Sequence, residues 1–336
     1  LGLVGIIANP AASKDIRRLV AQGRVVPDWE KVNTVRRVML GLQSVGATRI
    51  LAMPDSSNLV MRAADDPNLS LDLELVDMPA FYSEGDTIKA AGLMAEQGVD
   101  CLVTLGGDGT NRAAVVGSKN IPMVAISTGT NNVFPSMVEG TLAGLAAGMV
   151  AEGWLDLADV SVASKIMHVY VDGDLRDIAL IDVALSKERF VASKAIWDIE
   201  TLFEVFLTRS EPASIGLSSI GARLEAVSMA DEGGLQYGIA DPDDPGTETR
   251  TVLAPIAPGV VPRVSISSWQ RMADGERLTI ESRNCTVALD GERAFSVKQS
   301  QVLEMEVRRN GPPVIDVSLA LHVAASKGVF NRISGD

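Results

Sequence analysis

Histidine is nearly missing from this chain: His168 and His322 stand alone in 336 residues. Neither has metal-ligand spacing and neither comes with a recognisable nucleophile segment, so both read as structural and no Ser/His/Asp arrangement is supported. Cysteine is as scarce. Cys101 and Cys285 lie in apolar, strand-like contexts, which argues against a disulfide framework and for buried thiols in a reducing compartment. Aromatic residues are 4% of the chain, against an aromatic binding platform and for close helix–sheet packing. No apolar run reaches membrane-spanning length, and nothing at the start resembles a signal peptide. A cytoplasmic protein with no transmembrane segment is expected. Basic residues are outnumbered, 30 Lys and Arg against 43 Asp and Glu, for a net charge of −13. That argues against a nucleic-acid partner, although a small nucleotide needs only local N–H groups and one or two cations. The eight-residue Walker loop is absent too.

What is present is a large apolar fraction, 46%, enough to bury a core without staples. The length suggests two domains. Short apolar strands are read at 3–8, 49–53, 71–76, 101–106 and 122–126. Helical patterns lie between them, at Val32 to Leu42, to about Ala64, at 84–97, at 111–116 and at 138–151. This alternation predicts an α/β fold with a doubly wound, mostly parallel sheet. After about Leu155 the pattern becomes strand after strand, at 166–171, 175–185, 222–229, 235–240, 251–256, 277–281, 286–289 and 302–307. One helix, about Ser193 to Leu207, interrupts them and carries Trp197, Phe203 and Phe206 as core or interface residues. The second part is therefore a mostly antiparallel β domain. The expected division is 1–152, 153–318 and a tail, 319–336, packing back on the first domain. A homo-oligomer is expected through the β domain's edges.

The strongest local signal is the run Cys101-Leu102-Val103-Thr104-Leu105 ending in Gly106-Gly107-Asp108-Gly109-Thr110. A strand that stops in a glycine turn before a helix exposes backbone N–H groups, and phosphate is their usual ligand. Two more polar loops leave strand ends: Asn9-Pro10 with Ser13 and Lys14, and Thr128-Gly129-Thr130-Asn131-Asn132. In an open α/β sheet these should meet in one crevice. Lys14 offers a point charge, or is simply a solvated lysine. The Thr128 to Asn132 hydroxyls and amides suit a nucleoside or phosphate, or cap their own turn. Asp182 lies among apolar neighbours, where a carboxylate needs a partner. Asp290-Gly291-Glu292 reads by itself as a hairpin turn.

These segments resemble the superfamily that joins NAD kinases to diacylglycerol and sphingosine lipid kinases. Gly106 to Thr110 is the most specific piece, and Asn9-Pro10, Glu84-Gly85-Asp86-Thr87 and Ser127 to Asn132 are similar to its other loops. Ala179-Leu180-Ile181-Asp182-Val183 looks like the NAD kinases' Leu-Asn-Glu/Asp-Val segment, with Ile181 replacing the asparagine. Ala254-Pro255-Ile256-Ala257-Pro258 looks like another NAD-kinase segment, whereas Asp290-Gly291-Glu292 is similar to the lipid kinases. The mosaic is most like the acetoin-catabolism protein X branch of the ATP-NAD kinase family. The resemblance implies a kinase using ATP and Mg²⁺ on a hydroxyl of NAD or a related small metabolite. Asp108 would be catalytic, as the base or as a Mg²⁺ ligand with Asp290. Asn9, Ser13, Lys14, Gly106, Gly107, Gly109, Thr110 and Thr128 to Asn132 would bind the nucleotide, and Asp182, Asp290 and Glu292 would face the acceptor. A lipid kinase and a non-catalytic protein that binds NAD or ATP are the alternatives.

Overall fold

The computed structural model describes residues 2–12, 25–129, 132–187, 199–241, 250–291 and 293–332. Ser13, Lys14, Thr130, Asn131, Trp197 and Glu292 lie outside them.

The first half alternates strand and helix. In order come β1 (Leu3–Ala8), α1 (Asp28–Ser44), β2 (Arg49–Ala52), α2 (Leu59–Ala64), β3 (Asp72–Leu75), α3 (Glu84–Glu96), β4 (Cys101–Gly106), α4 (Asp108–Ser118) and β5 (Met123–Ser127). Then follow α5 (Gly140–Ala151), α6 (Leu157–Val160) and β6 (Ser161–Ala163). The first five strands run parallel in the order β3-β2-β1-β4-β5. β4 is buried along its whole length, because helices cover both faces. Residues of α1, α2 and α5 pack on one face, those of α3 and α4 on the other. α1 buries Val32, Val35, Met39 and Leu42. Its Gly41 meets Gly144 of α5 where a side chain would strike backbone, so glycine permits the close crossing.

After β6 the pairing turns antiparallel. The elements are β7 (Ile166–Val171), β8 (Asp174–Ala179), β9 (Asp182–Ser186), β10 (Leu202–Leu207), α7 (Leu217–Ala222), β11 (Gly234–Ile239), β12 (Arg250–Leu253), β13 (Arg263–Met272), β14 (Arg277–Ile280), β15 (Cys285–Leu289), β16 (Arg293–Val297) and β17 (Leu303–Arg308). They make a seven-stranded sheet, β12-β13-β11-β10-β9-β15-β16, and a four-stranded sheet, β14-β17-β7-β8. Met167, Val183, Phe206, Val287 and Met305 are in the core cluster that both sheets supply. The chain then returns to the first sheet. β18 (Pro313–Ile315) lies between β5 and β6, and Ala320 and Ala324 of α8 (Val317–Ser326) enter the core of α1 and α5. A last turn, α9, covers Val329–Arg332. The fold class expected from the sequence is the one observed.

Four local expectations need correction. The helix expected to reach Leu207 gives way to strand β10 over 202–207. Pairing with β9 and β11 decides its state, and tertiary context overrides local pattern. Phe206 is buried in the core and Phe203 lies at its edge under the Arg283 guanidinium, 4.3 Å from the ring centroid. The strand expected at 175–185 is two strands, because the Leu180 and Ile181 amides turn out of the ladder to the Asp290 carboxylate. The strand expected at 222–229 is absent: α7 ends at Ala222, and an isolated Ser210–Val227 bridge follows. β13 and β16 were not expected, since half of each faces outward and thins the apolar signal.

Candidate functional site

Three strand ends of the first sheet and one hairpin of the second meet around Asp108. The helix expected from Asn111 begins earlier, at Asp108, with Gly107 as its cap residue. Gly109 and Thr110 therefore stand in the first helical turn, where N–H groups lack intrahelical acceptors. The turn is fixed from below. The buried Thr104 hydroxyl donates to the Asn111 side-chain oxygen at 2.6 Å, and the Asn111 amide donates to the Gly107 carbonyl at 2.8 Å. Gly106 has no alternative: a Cβ there would lie 2.5 Å from that of Thr110.

Asn9 follows β1, and its side-chain amide donates to the Thr110 hydroxyl at 2.8 Å. Its own oxygen accepts from the Ala11 amide at 2.8 Å, so it shapes its loop as well. From the end of β5, Thr128 N–H donates to the Gly106 carbonyl at 3.2 Å. The Asn132 side chain donates to the Ser127 hydroxyl at 2.9 Å and lies against Gly107 and Gly129. Among the described residues the buried Thr128 hydroxyl has no hydrogen-bond partner. It borders a cleft of about 160 Å³ lined by Lys31, Thr34, Arg37, Gly129 and Met137 over Leu105 and Ile126.

The Asp108 residue keeps some exposed surface while its carboxyl group is enclosed. Its Oδ1 accepts from the Phe134 amide at 2.8 Å and the Val133 amide at 3.1 Å, and its Oδ2 from Val133 at 3.2 Å. Burial, opposed by these amides and assisted by the Asp290 charge, pushes it up to about 6. Asp290 follows β15 in the left-handed region, φ 48°, with Gly291 at φ 67° after it. Its Oδ1 accepts from Ile181 and Asp182 at 2.8 and 3.2 Å, and its Oδ2 from Leu180 at 3.0 Å. Burial raises it too, against those three amides. The Asp-Gly pair thus makes the hairpin and also anchors the break between β8 and β9. The Asp182 backbone carbonyl accepts from the Asp290 amide at 3.0 Å. Burial, then the charge of Asp182, push the Tyr237 hydroxyl well above its ordinary value.

Two arginines that the sequence reading passed over complete the site. Arg209, two residues after β10, is buried and donates to the Val133 carbonyl. Its guanidinium stands 5.6 Å from the Phe134 ring centroid and 3.4 Å from Glu211. The signal was a cation closing the apolar run Leu202-Phe203-Glu204-Val205-Phe206-Leu207, hidden once that run was read as a helix. Arg112, one turn after Asp108, pairs with Glu84 and stands 3.6 Å from Asp177; Arg293 of β16 pairs with Asp177 and stands 3.9 Å from Glu84. Those four charges tie α3 and α4 to β8 and β16.

The structure thus groups Asn9, Gly106, Gly107, Asp108, Gly109, Thr110, Thr128, Gly129, Asn132 and Asp290. Among the described residues no three His, Cys, Asp or Glu side chains lie close enough to hold a metal ion by themselves, and no helix is long and apolar enough to cross a membrane. Chemically, the arrangement offers a helix N-terminus for an anion beside a carboxylate poised to take a proton near neutral pH.

Comparison with known proteins matches the chain to two family models. Residues 4–153 match the model of the ATP-NAD kinase N-terminal domain, and residues 165–310 that of the acetoin catabolism protein X C-terminal domain. The acetoin catabolism protein X of Cupriavidus necator is 37% identical over 334 residues, covering 96% of this chain and 92% of that protein. Among solved structures, a putative diacylglycerol kinase from Bacillus anthracis aligns at 13% identity and TM-score 0.46, over 94% of this chain and 96% of that one. A second such structure from that organism aligns at 12% identity and TM-score 0.48, over 94% and 97%.

Proposed function

Since the chain belongs to the acetoin catabolism protein X family, we propose that it is a phosphotransferase that moves the γ-phosphoryl group of ATP to a hydroxyl of NAD or a related small metabolite. The observation that carries this reading is Asp108: a carboxylate held at the start of α4, raised to about 6 and still mostly ionised at neutral pH. The acceptor oxygen would form the new P–O bond as the bond to the β-phosphate oxygen breaks, and Asp108 would take the hydroxyl proton while ADP leaves. The α4 N-terminus, with Asn9, Gly106, Gly107, Gly109 and Thr110, and with Thr128, Gly129 and Asn132 across from it, would cradle the donor phosphates. Ser13, Lys14, Thr130 and Asn131 belong to the same loops in sequence. Residues 153–318 would carry the acceptor side, with Asp182, Asp290 and Glu292.

The residues fit a divalent cation shared with phosphate oxygens. Asp108 and Asp290 each keep one oxygen, Oδ2, that accepts a single amide, and their negative charges oppose each other. A Mg²⁺ ion bound there would neutralise phosphate charge, a pair of carboxylates with phosphate oxygens being its ordinary donor set, and Asp108 would then act as its ligand in place of the base. One observation counts against NAD itself as the acceptor. Ile181, at the position where NAD kinases keep the asparagine that holds NAD, is buried in the core beneath the site.

The test is incubation with ATP, Mg²⁺ and a panel of hydroxyl compounds that includes NAD, a diacylglycerol and small polyols and hydroxy-ketones. Asp108→Asn serves as control. Phosphorylated product from the wild type alone is expected. Nucleotide binding with no turnover across the panel would instead assign a nucleotide sensor.

A further inference from the structure

The cleft of about 160 Å³ beside the loop after β5 belongs to one side of the site. Its floor, Leu105 and Ile126, faces α1 and α5, whereas α4, which Asp108 begins, packs on the other face of the sheet. Every described residue that lines it lies between Val26 and Val138, in the first half of the chain. The cleft is also continuous with the glycine turn. The Thr128 amide donates to the Gly106 carbonyl at 3.2 Å, and the Asn132 side chain lies against both Gly107 and Gly129. A ligand with its anionic end at the start of α4 can therefore pass over the end of β4 and put its other end in the cleft.

Among the described residues its walls offer no unmatched charge. Arg37 Nε stands 2.7 Å from the Glu139 carboxylate and its Nη2 3.3 Å from that of Glu30. The fully buried Lys31 donates to the Pro10 and Ala12 carbonyls at 2.6 and 2.7 Å. Of the three hydroxyls there, Thr34 donates to the Glu30 carbonyl and Ser127 to the Gly129 carbonyl, each at 2.9 Å. The third belongs to Thr128, a residue 5% exposed, and has no partner among the described residues. A buried polar group in that state calls for one. Met137 lines the mouth, 76% exposed, beside Ser136, which pairs with Ala125 and Ser127 of β5 at 3.0 and 2.9 Å. The volume is about half the roughly 300 Å³ at which sites for whole drug-sized ligands begin, so it takes one ring system. A neutral ring with a polar edge suits these walls: its faces against Leu105, Ile126 and the Met137 thioether, its edge on Thr128.

We infer that the cleft receives the adenine ring of ATP, with the Thr128 hydroxyl as its hydrogen-bond partner and Met137 against its face. This deepens the phosphotransferase reading and rests on it for calling ATP the donor; it moves the Thr128 hydroxyl from the donor phosphates to the base. The acceptor has to reach Asp108 and residues 153–318, and those residues contribute nothing to the described lining. The base of the donor has to lie away from both, and the cleft does.

The experiment follows the Met137 methyl group by NMR in protein labelled with ¹³C-methyl methionine, with Met137→Leu to assign the signal. ATP with Mg²⁺ is expected to move that signal, and adenosine to move it in the same direction, while inorganic triphosphate leaves it in place. By calorimetry, Thr128→Val is expected to weaken ATP about fivefold and inorganic triphosphate less than about twofold. A Met137 signal that stays put at saturating ATP overturns the inference, as does one that triphosphate moves equally. Equal losses for ATP and triphosphate in Thr128→Val place that hydroxyl at the phosphates and overturn it too. The same movement with nicotinamide mononucleotide in place of ATP would make the cleft an acceptor pocket, again overturning it. None of these readouts needs turnover. A wild type that seats ATP in this way and transfers no phosphoryl group would sink the phosphotransferase reading and leave the base pocket standing.

Discussion

Replacing Asp108 by Asn should make the protein more stable at alkaline pH and inactive, and the two effects have one cause. The folded protein raises this carboxyl from its ordinary 3.8 to about 6, chiefly by burial. A carboxyl raised on folding binds its proton more tightly in the native state. Its contribution to stability is therefore full below pH 3.8 and is lost as pH rises through about 6. At 1.36 kcal/mol per pH unit, that interval corresponds to about 3 kcal/mol against the native state at pH 8. Asn keeps an oxygen for the Val133 and Phe134 amides and carries no charge at any pH. Urea unfolding of wild type and variant should show the variant gaining about 2–3 kcal/mol in relative stability between pH 4 and pH 8. Phosphoryl transfer should fall by about 100-fold or more, the usual loss for a missing general base. Parallel stability–pH curves for the two proteins would refute the reasoning, since they would mean that Asp108 titrates alike folded and unfolded.

Other outcomes follow from the same geometry. The acid limb of kcat/KM for phosphoryl transfer should lie near pH 6, activity falling below it as Asp108 takes up a proton, and a rate profile flat from pH 5 to 8 would count against Asp108 as base. Gly106→Ala forces a Cβ against Thr110 and should cost about 1–3 kcal/mol in thermal or urea unfolding, with weaker nucleotide binding as the Asn9–Thr110 contact shifts. Thr128→Val removes a buried hydroxyl that has no partner among the described residues, so stability should hold or rise by up to about 1 kcal/mol; a drop of about fivefold in ATP affinity by calorimetry would show that the hydroxyl serves the ligand. Arg112→Met leaves Glu84 and Asp177 facing Arg293 alone and should cost about 2–4 kcal/mol, read by thermal unfolding.

The parallel half was legible because its physics is local. Each strand of that sheet is a short apolar run, each helix carries an apolar face, and Gly106 to Thr110 stands where a strand must hand over to a helix. The strand-end loops could be expected to converge for the same reason. The antiparallel half was harder, because its strands have one face toward the core and are stabilised by distant partners. β10 reads as a helix until β9 and β11 are placed beside it. β13, with Trp269 40% exposed, shows little apolar pattern at all. In the site, the same limit hid Arg209. Its importance lies in a contact with residue 133, 76 positions away, which no window of neighbours displays. Asp290 was seen as a hairpin turn, and it is one; that its carboxylate also binds three amides of the 180–182 segment is a fact of the fold, not of the turn.

The strand β18 sets the order in which this molecule can be finished. It lies between β5 and β6, and among the described residues β6 pairs with it alone, Val314 opposite Val162. On a ribosome, β1 to β5 emerge first and can pair as they come. The edge strand β6 must then wait for the whole antiparallel half to be made before its neighbour exists. At about 5–20 residues per second that wait is roughly 10–30 s. During it, Ser136 already covers β5 from Ala125 to Ser127, but the start of β5 around Met123 is an open strand edge, able to pair with any other chain that offers one. A nascent chain stalled before residue 313 should therefore be the form that most needs a chaperone, and the emergence of β18 is the step that closes the sheet.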